Sequence, residues 1–174
     1  MMKVMDLETM KFQYLDFASK LKTVMLSTLD EEGQPFISYA PFVNQDGKFY
    51  IYISKIANHY HHLEANPAVD VMLIEDEAST ANLFARQRAR FVCTARNLGN
   101  EGHDELFAQF DLRFNKNMMN MLRTLDFSLF ELTPSTGRYV AGFGQAFDID
   151  LTADTFLHVA RDGHGQSTDK EDEQ

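Results

Sequence analysis

Apolar residues recur every three or four positions at Leu7, Met10, Tyr14, Phe17, Ala18 and Leu21, which predicts an amphipathic helix over 6–21. Asp6 stands where an N-cap belongs, and Thr9 takes the position at which a glutamate would complete a capping box. The rhythm then changes. "TVMLSTL" (23–29), "FISYAPFV" (36–43) and "KFYIYIS" (48–54) are strand candidates, joined by the turns "DEEGQP" and "NQDG". Pro41 marks an edge or a bend in the second of them. "ANHYHHLEANP" (57–67) predicts a short helix stopped by Asn66-Pro67, and "AVDVMLIED" (68–76) a further strand. A long strand lies within 82–98, and a helix with a break near "FNKN" spans 101–125. "DFSLFELTP" (126–134) alternates as a strand. "GRYVAGFGQAFDID" (137–150) gives another, bent at Gly142 and Gly144, and then a last short strand. "LTADTFLHVA" (151–160) has the spacing of a closing helix. Six or seven antiparallel strands with helices between them predict a mainly β protein, a closed or partly closed barrel with α excursions.

Composition narrows the class. A length of 174 residues favours one domain, and 44% hydrophobic with 24% charged residues is ordinary for a globular protein. The single cysteine, Cys93, excludes an intramolecular disulfide framework and a Cys-rich metal site. No apolar run reaches the length of a membrane span, and the N-terminus lacks the long apolar stretch of a signal peptide, so a reducing, cytoplasmic setting is expected. A net charge of -10 argues against nonspecific nucleic-acid binding, which depends on Lys and Arg to neutralise phosphates. It leaves room for an anionic small ligand on a local basic site.

Such a site has two candidates. "ARQRAR" places Arg86, Arg88 and Arg90 at alternate positions, so in a strand all three project from one face, with Ala85, Ala89, Phe91, Cys93 and Ala95 on the other. Three neighbouring cations repel one another unless solvent or an anion answers them. They form either a cradle for phosphate or carboxylate groups or a solvated strand face. Ser54 and Lys55 sit at a strand-to-helix junction, where free N–H groups suit anions. The helix beyond carries His59, His61 and His62. His59 and His62 share a face, but that spacing alone does not make a metal site, and ordinary helix surface is the competing reading. Asp126 reads locally as a turn residue before a strand. His164, between Gly163 and Gly165 and ahead of an acidic tail, reads locally as a solvated terminal residue.

The order of the pieces adds to this. "TVMLSTLDEEGQPFISYAPFV", "SKIANHYHHLEANPAVDVMLIEDE" and "LFARQRARF" together resemble the split-barrel superfamily of pyridoxamine 5'-phosphate oxidase. "TLDFSLFELTP", "YVAGFGQAF" and the terminal "DGHG" resemble its haem-utilisation (HugZ/HutZ-type) branch, and the likeness covers about residues 12–165. The resemblance implies a split-barrel domain over 1–165 ending in a ligand segment, followed by an acidic disordered tail over 166–174. It implies a homodimer with haem at the subunit interface and His164 as the axial ligand to the haem iron. It places Asp126 in the catalytic machinery, as the carboxylate from the other subunit that hydrogen-bonds that histidine. Arg86 and Arg88 are then the first candidates for the haem propionates, with Arg90 and Lys22 as further ones. The implied activity is oxygenase-like ring opening that releases iron, fed by an unidentified electron donor. A non-catalytic haem carrier or store would use the same pocket. An FMN-dependent oxidoreductase is the remaining alternative. Flavin-binding relatives carry several basic residues around the first and third strands, and here those regions offer Lys20, Lys22 and Lys55, with His59 and His62 where Arg or Lys is usual.

Overall fold

The computed structural model describes residues 6–159. Helix α1 (Leu7–Lys20) starts at Asp6, whose Oδ1 accepts the Glu8 N–H at 3.1 Å. Thr9 does not reach back to the backbone; its hydroxyl donates to Asp6 Oδ2 at 2.6 Å and holds the cap in place. Met10 and Phe17, one helix face apart by two turns, are buried.

Eight antiparallel strands follow: β1 (Thr23–Leu29), β2 (Pro35–Gln45), β3 (Lys48–Ser54), β4 (Ala68–Ile74), β5 (Arg88–Gly99), β6 (Phe127–Gly142), β7 (Gln145–Asp150) and β8 (Thr155–His158). They are ordered β3-β2-β1-β4-β5-β6-β7-β8, and a β3–β6 pairing from Phe49↔Leu132 to Ser54↔Phe127 closes the first six into a barrel. Closure removes the exposed edges that an open sheet would leave. β7 and β8 continue the sheet beyond β6. The "NQDG" hairpin joins β2 to β3 with Asp46 and Gly47 both at positive φ, 51° and 75°, the backbone that suits a tight twisted turn. Pro41, with no N–H to give, is the residue at which β2 leaves β1 and turns to pair with β3 from Phe42 onward.

Two apolar layers hold this frame. Inside the barrel lie Leu26, Phe42, Phe49, Ile51, Val71, Phe91 and Tyr139, all at most 1% exposed. Outside it, Tyr50 and Tyr52 of β3 are covered by Leu106, Phe107 and Phe110 of α3 (Asp104–Phe114) and Met119 of α4 (Lys116–Arg123). That second layer explains why β3 is buried on both faces and reads as a continuous apolar run. Asn115, at φ 143°, breaks α3 from α4, and its Oδ1 caps α4 by accepting from Asn117 and Met118 N–H. α2 (Asn58–Ala65) packs against β1 and β5.

Three expectations are corrected. The stretch 127–142 is one strand rather than two. It runs through Pro134 because a bulge opposite Phe91 and Cys93 takes up the extra residue. Gly137 permits the close approach, since a Cβ there would meet Arg90 O and the Phe91 ring at 2.4 Å. The closing helix is absent: Asp150 Oδ1 accepts from Thr152 and Ala153 N–H, forming a turn, and β8 follows with Phe156 buried at 5.0 Å from the Phe147 ring. Lastly, Arg86 is not in the strand. It ends a short 3-10 turn, Leu83–Ala85, so it shares no strand face with Arg88 and Arg90. Ala89, Phe91, Cys93 and Ala95 are buried as expected, whereas Ala85 belongs to the turn.

Candidate functional site

The cations foreseen near the third and fifth strands separate into two groups at opposite ends of β6. The first group lies on the outer face of the sheet. One register row runs Tyr39, Met25, Met72, Arg90, Arg138, Asp148, Leu157 across seven strands. Arg90 and Arg138 face each other directly, an arrangement that destabilises a ladder unless charge is supplied. It is supplied on both sides: Arg90 pairs with Asp70, and Arg138 makes a two-pronged pair with Asp148 at 2.7 and 3.1 Å. The Arg138 guanidinium beside it holds the Asp148 carboxyl below the usual carboxylate range. Arg88 has no carboxylate partner among the described residues; its guanidinium donates to Arg86 O at 2.8 Å, and Arg86 Nε donates to Glu75 O at 2.7 Å. Arg88, Arg90, Met72, Val92, Val140 and Leu157 border a hollow of about 750 Å³, within the range of small-molecule pockets. Lys22 is exposed where the chain enters β1.

The second group gathers where β3 ends and β6 begins. Ser54 Oγ donates to Asp126 Oδ1 at 2.9 Å, and the Lys55 N–H donates to Asp126 O at 2.9 Å. Asp126 is exposed, and its Oδ2 has no partner among the described residues. Ile56 and Leu125, flanking it in space and sequence, are 84% and 53% exposed. The result is an acceptor oxygen set in an apolar rim. Nothing in the local pattern separates Asp126 from a turn residue, and Ile56 and Leu125 were missed because single exposed apolar residues carry no periodicity. Arg138 and Asp148 were missed because only the bulged register sets them beside Arg90.

Two of the three histidines of α2, His59 and His62, are turned toward the sheet, while His61 is exposed. His59 Nδ1 meets Ser38 Oγ at 2.8 Å and His62 Nδ1 meets Thr28 Oγ1 at 2.9 Å. Burial, with His62 next to it, pushes the His59 pKa down and favours the neutral ring. Among the described residues no cluster of three metal-binding side chains occurs. Cys93 is buried, and burial pushes its thiol up to about 12, far from the range of a reactive thiolate. His164 lies outside the described residues. So does the acidic stretch 166–174.

The barrel closed by β3–β6, with helices over one side and a two-strand extension, is the architecture of a split barrel. The family model for pyridoxamine 5'-phosphate oxidase matches residues 10–141. The haem oxygenase HutZ of Vibrio cholerae serotype O1 is 39% identical over 154 residues, 86% of each chain. Among solved structures, ChuZ of Campylobacter jejuni superposes with a TM-score of 0.82 at 31% identity over 90% of this chain, which spans 64% of the ChuZ chain. HutZ of V. cholerae, described there as a haem storage protein, superposes with a TM-score of 0.68 at 38% identity, over 75% of this chain and 92% of its own. This chain belongs to the haem-utilisation, HutZ-type branch of the pyridoxamine 5'-phosphate oxidase superfamily.

The residues present fit a haem. Planar apolar surface needs apolar neighbours, and the hollow and the Asp126 rim supply them. Propionates need cations, and Arg88 is not neutralised by a described carboxylate. An axial imidazole needs an acceptor for its second nitrogen, and Asp126 Oδ2 is one.

Proposed function

We propose that this protein binds haem at a site shared by two copies of itself and opens the porphyrin ring to release iron. The observation that carries the reading is Asp126, with one carboxylate oxygen tied to Ser54 and the other without a partner in an apolar rim. His164 of the partner subunit would hold the haem iron, and its second ring N–H would donate to Asp126. That bond fixes the tautomer and raises the basicity of the ligand. Arg88 holds a propionate, with Arg86 and Lys22 at the same rim, while Arg90 stays paired with Asp70. The bound haem supplies the reactivity toward oxygen and reductant. The protein orients it, shields its faces and keeps a carboxylate against the ligand.

Geometry supports the shared site. Asp126 and Arg88, whose strand partner is Val140, stand at opposite ends of β6, roughly 40 Å apart along the strand. His164 follows Val159 by five residues, a reach of at most about 18 Å in an extended chain. Val159 donates to Ala146 O, at the Arg88 end. This separation favours a site in which the histidine of one subunit meets the carboxylate of another. Among the described residues no helix is long and apolar enough to cross a membrane.

The test is turnover. The protein is loaded with haem and given an external reductant under air, and the products are read as open tetrapyrrole and free iron. Ring opening above the rate of free haem is expected. Stoichiometric binding without turnover would replace the enzyme with a carrier or store, and FMN fluorescence in the purified protein without haem affinity would overturn the haem site.

A further inference from the structure

Ser54 occupies the last position of β3 and is half-buried. Its hydroxyl has two neighbours. It accepts the Ile56 N–H at 3.3 Å and donates to Asp126 Oδ1 at 2.9 Å. A hydroxyl has a single proton, so with Ile56 as donor that proton is committed to the carboxylate. The Lys55 N–H secures the same residue through Asp126 O. Asp126 is thus held at its backbone and at one carboxylate oxygen, which restricts the rotation of an exposed carboxylate and leaves Oδ2 without a partner among the described residues.

We propose that Ser54 is a positioning residue: it aims Asp126 at the axial histidine of the partner subunit, and so sets the electron donation of that ligand. The proposal rests on the haem site described for Asp126. Carboxylates that support a metal-bound imidazole are themselves held by hydrogen bonds, and those outer contacts tune the metal. Without the hydroxyl, Asp126 swings, its bond to the imidazole weakens, and the imidazole loses basicity. The ferric state is then less favoured.

The experiment reconstitutes the full chain with haem in wild type, Ser54→Ala, Ser54→Thr and Asp126→Ala. It reads the reduction potential and the iron–imidazole stretching frequency of the ferrous form, with Ser54→Thr separating loss of the hydroxyl from a general structural effect. Ser54→Ala is expected to raise the potential and lower the frequency in the direction of Asp126→Ala, by a smaller amount. Ser54→Thr, which keeps the hydroxyl, is expected to match wild type. If Asp126→Ala shifts both readings while Ser54→Ala leaves them unchanged or shifts them the other way, the positioning role is overturned and the haem site stands. If Asp126→Ala also matches wild type, the site reading falls together with the inference.

Discussion

Glu131 shows how single residues in this fold depend on their neighbours. Its side chain, 11% exposed, sits 3.3 Å from Lys48 Nζ and 3.2 Å from Arg96, and the Tyr50 hydroxyl donates to it at 3.2 Å. Burial alone would raise its pKa, but Lys48 and Arg96 outweigh burial and hold it below the usual carboxylate range. A lowered folded-state pKa gives stability that is present above about pH 4.3 and is lost as pH falls through the folded value. Glu131→Gln should therefore cost about 1–2 kcal/mol at neutral pH and flatten the acid limb of the stability curve, as denaturant midpoints between pH 7 and 3 would show. His59 has the same sign for a different reason. Burial first and His62 second lower its pKa, so its contribution is complete above about pH 6.5 and fades below. His59→Gln should reduce the stability lost between about pH 7 and 5, measured the same way. At this scale the sequence was informative where chemistry is local. Asp6 capped its helix from its identity alone. Asp126 was not legible as more than a turn residue, because its meaning lies in Ser54, 72 positions away in the chain.

Elements were legible wherever hydrophobic periodicity and turn chemistry agreed. The barrel strands β1 to β5, the Asp46-Gly47 hairpin and the break between α3 and α4 all have that double signal. The two failures share a cause: the deciding contact is far away. Pro134 looks like a strand end until the partner strand supplies a bulge, and 151–158 has helical spacing until Phe156 finds Phe147 and Tyr139. Gly137→Ala is accordingly expected to cost about 2–3 kcal/mol, because the neighbour at 2.4 Å is backbone and cannot yield. Phe156→Ala should cost about 3 kcal/mol by opening a cavity under the β7–β8 ribbon, and thermal melts of the two variants would measure both effects.

For the whole molecule, the central consequence of the proposed function is a site divided between two chains. Arg88 and the departure point of the C-terminal segment lie at one end of β6, and Asp126 and Ser54 at the other. In a two-fold dimer each interface contact occurs twice, so two equivalent sites form from complementary halves. Mixed dimers of His164→Ala and Asp126→Ala should then hold one intact site, about half the wild-type signal, whereas a site built within one chain would give none. The most direct measurement is a haem titration of wild type and His164→Ala followed in the Soret region. The account predicts stoichiometric binding by wild type and loss of the histidine-ligand signature in the variant. Identical spectra for the two, or no binding by either, would contradict it.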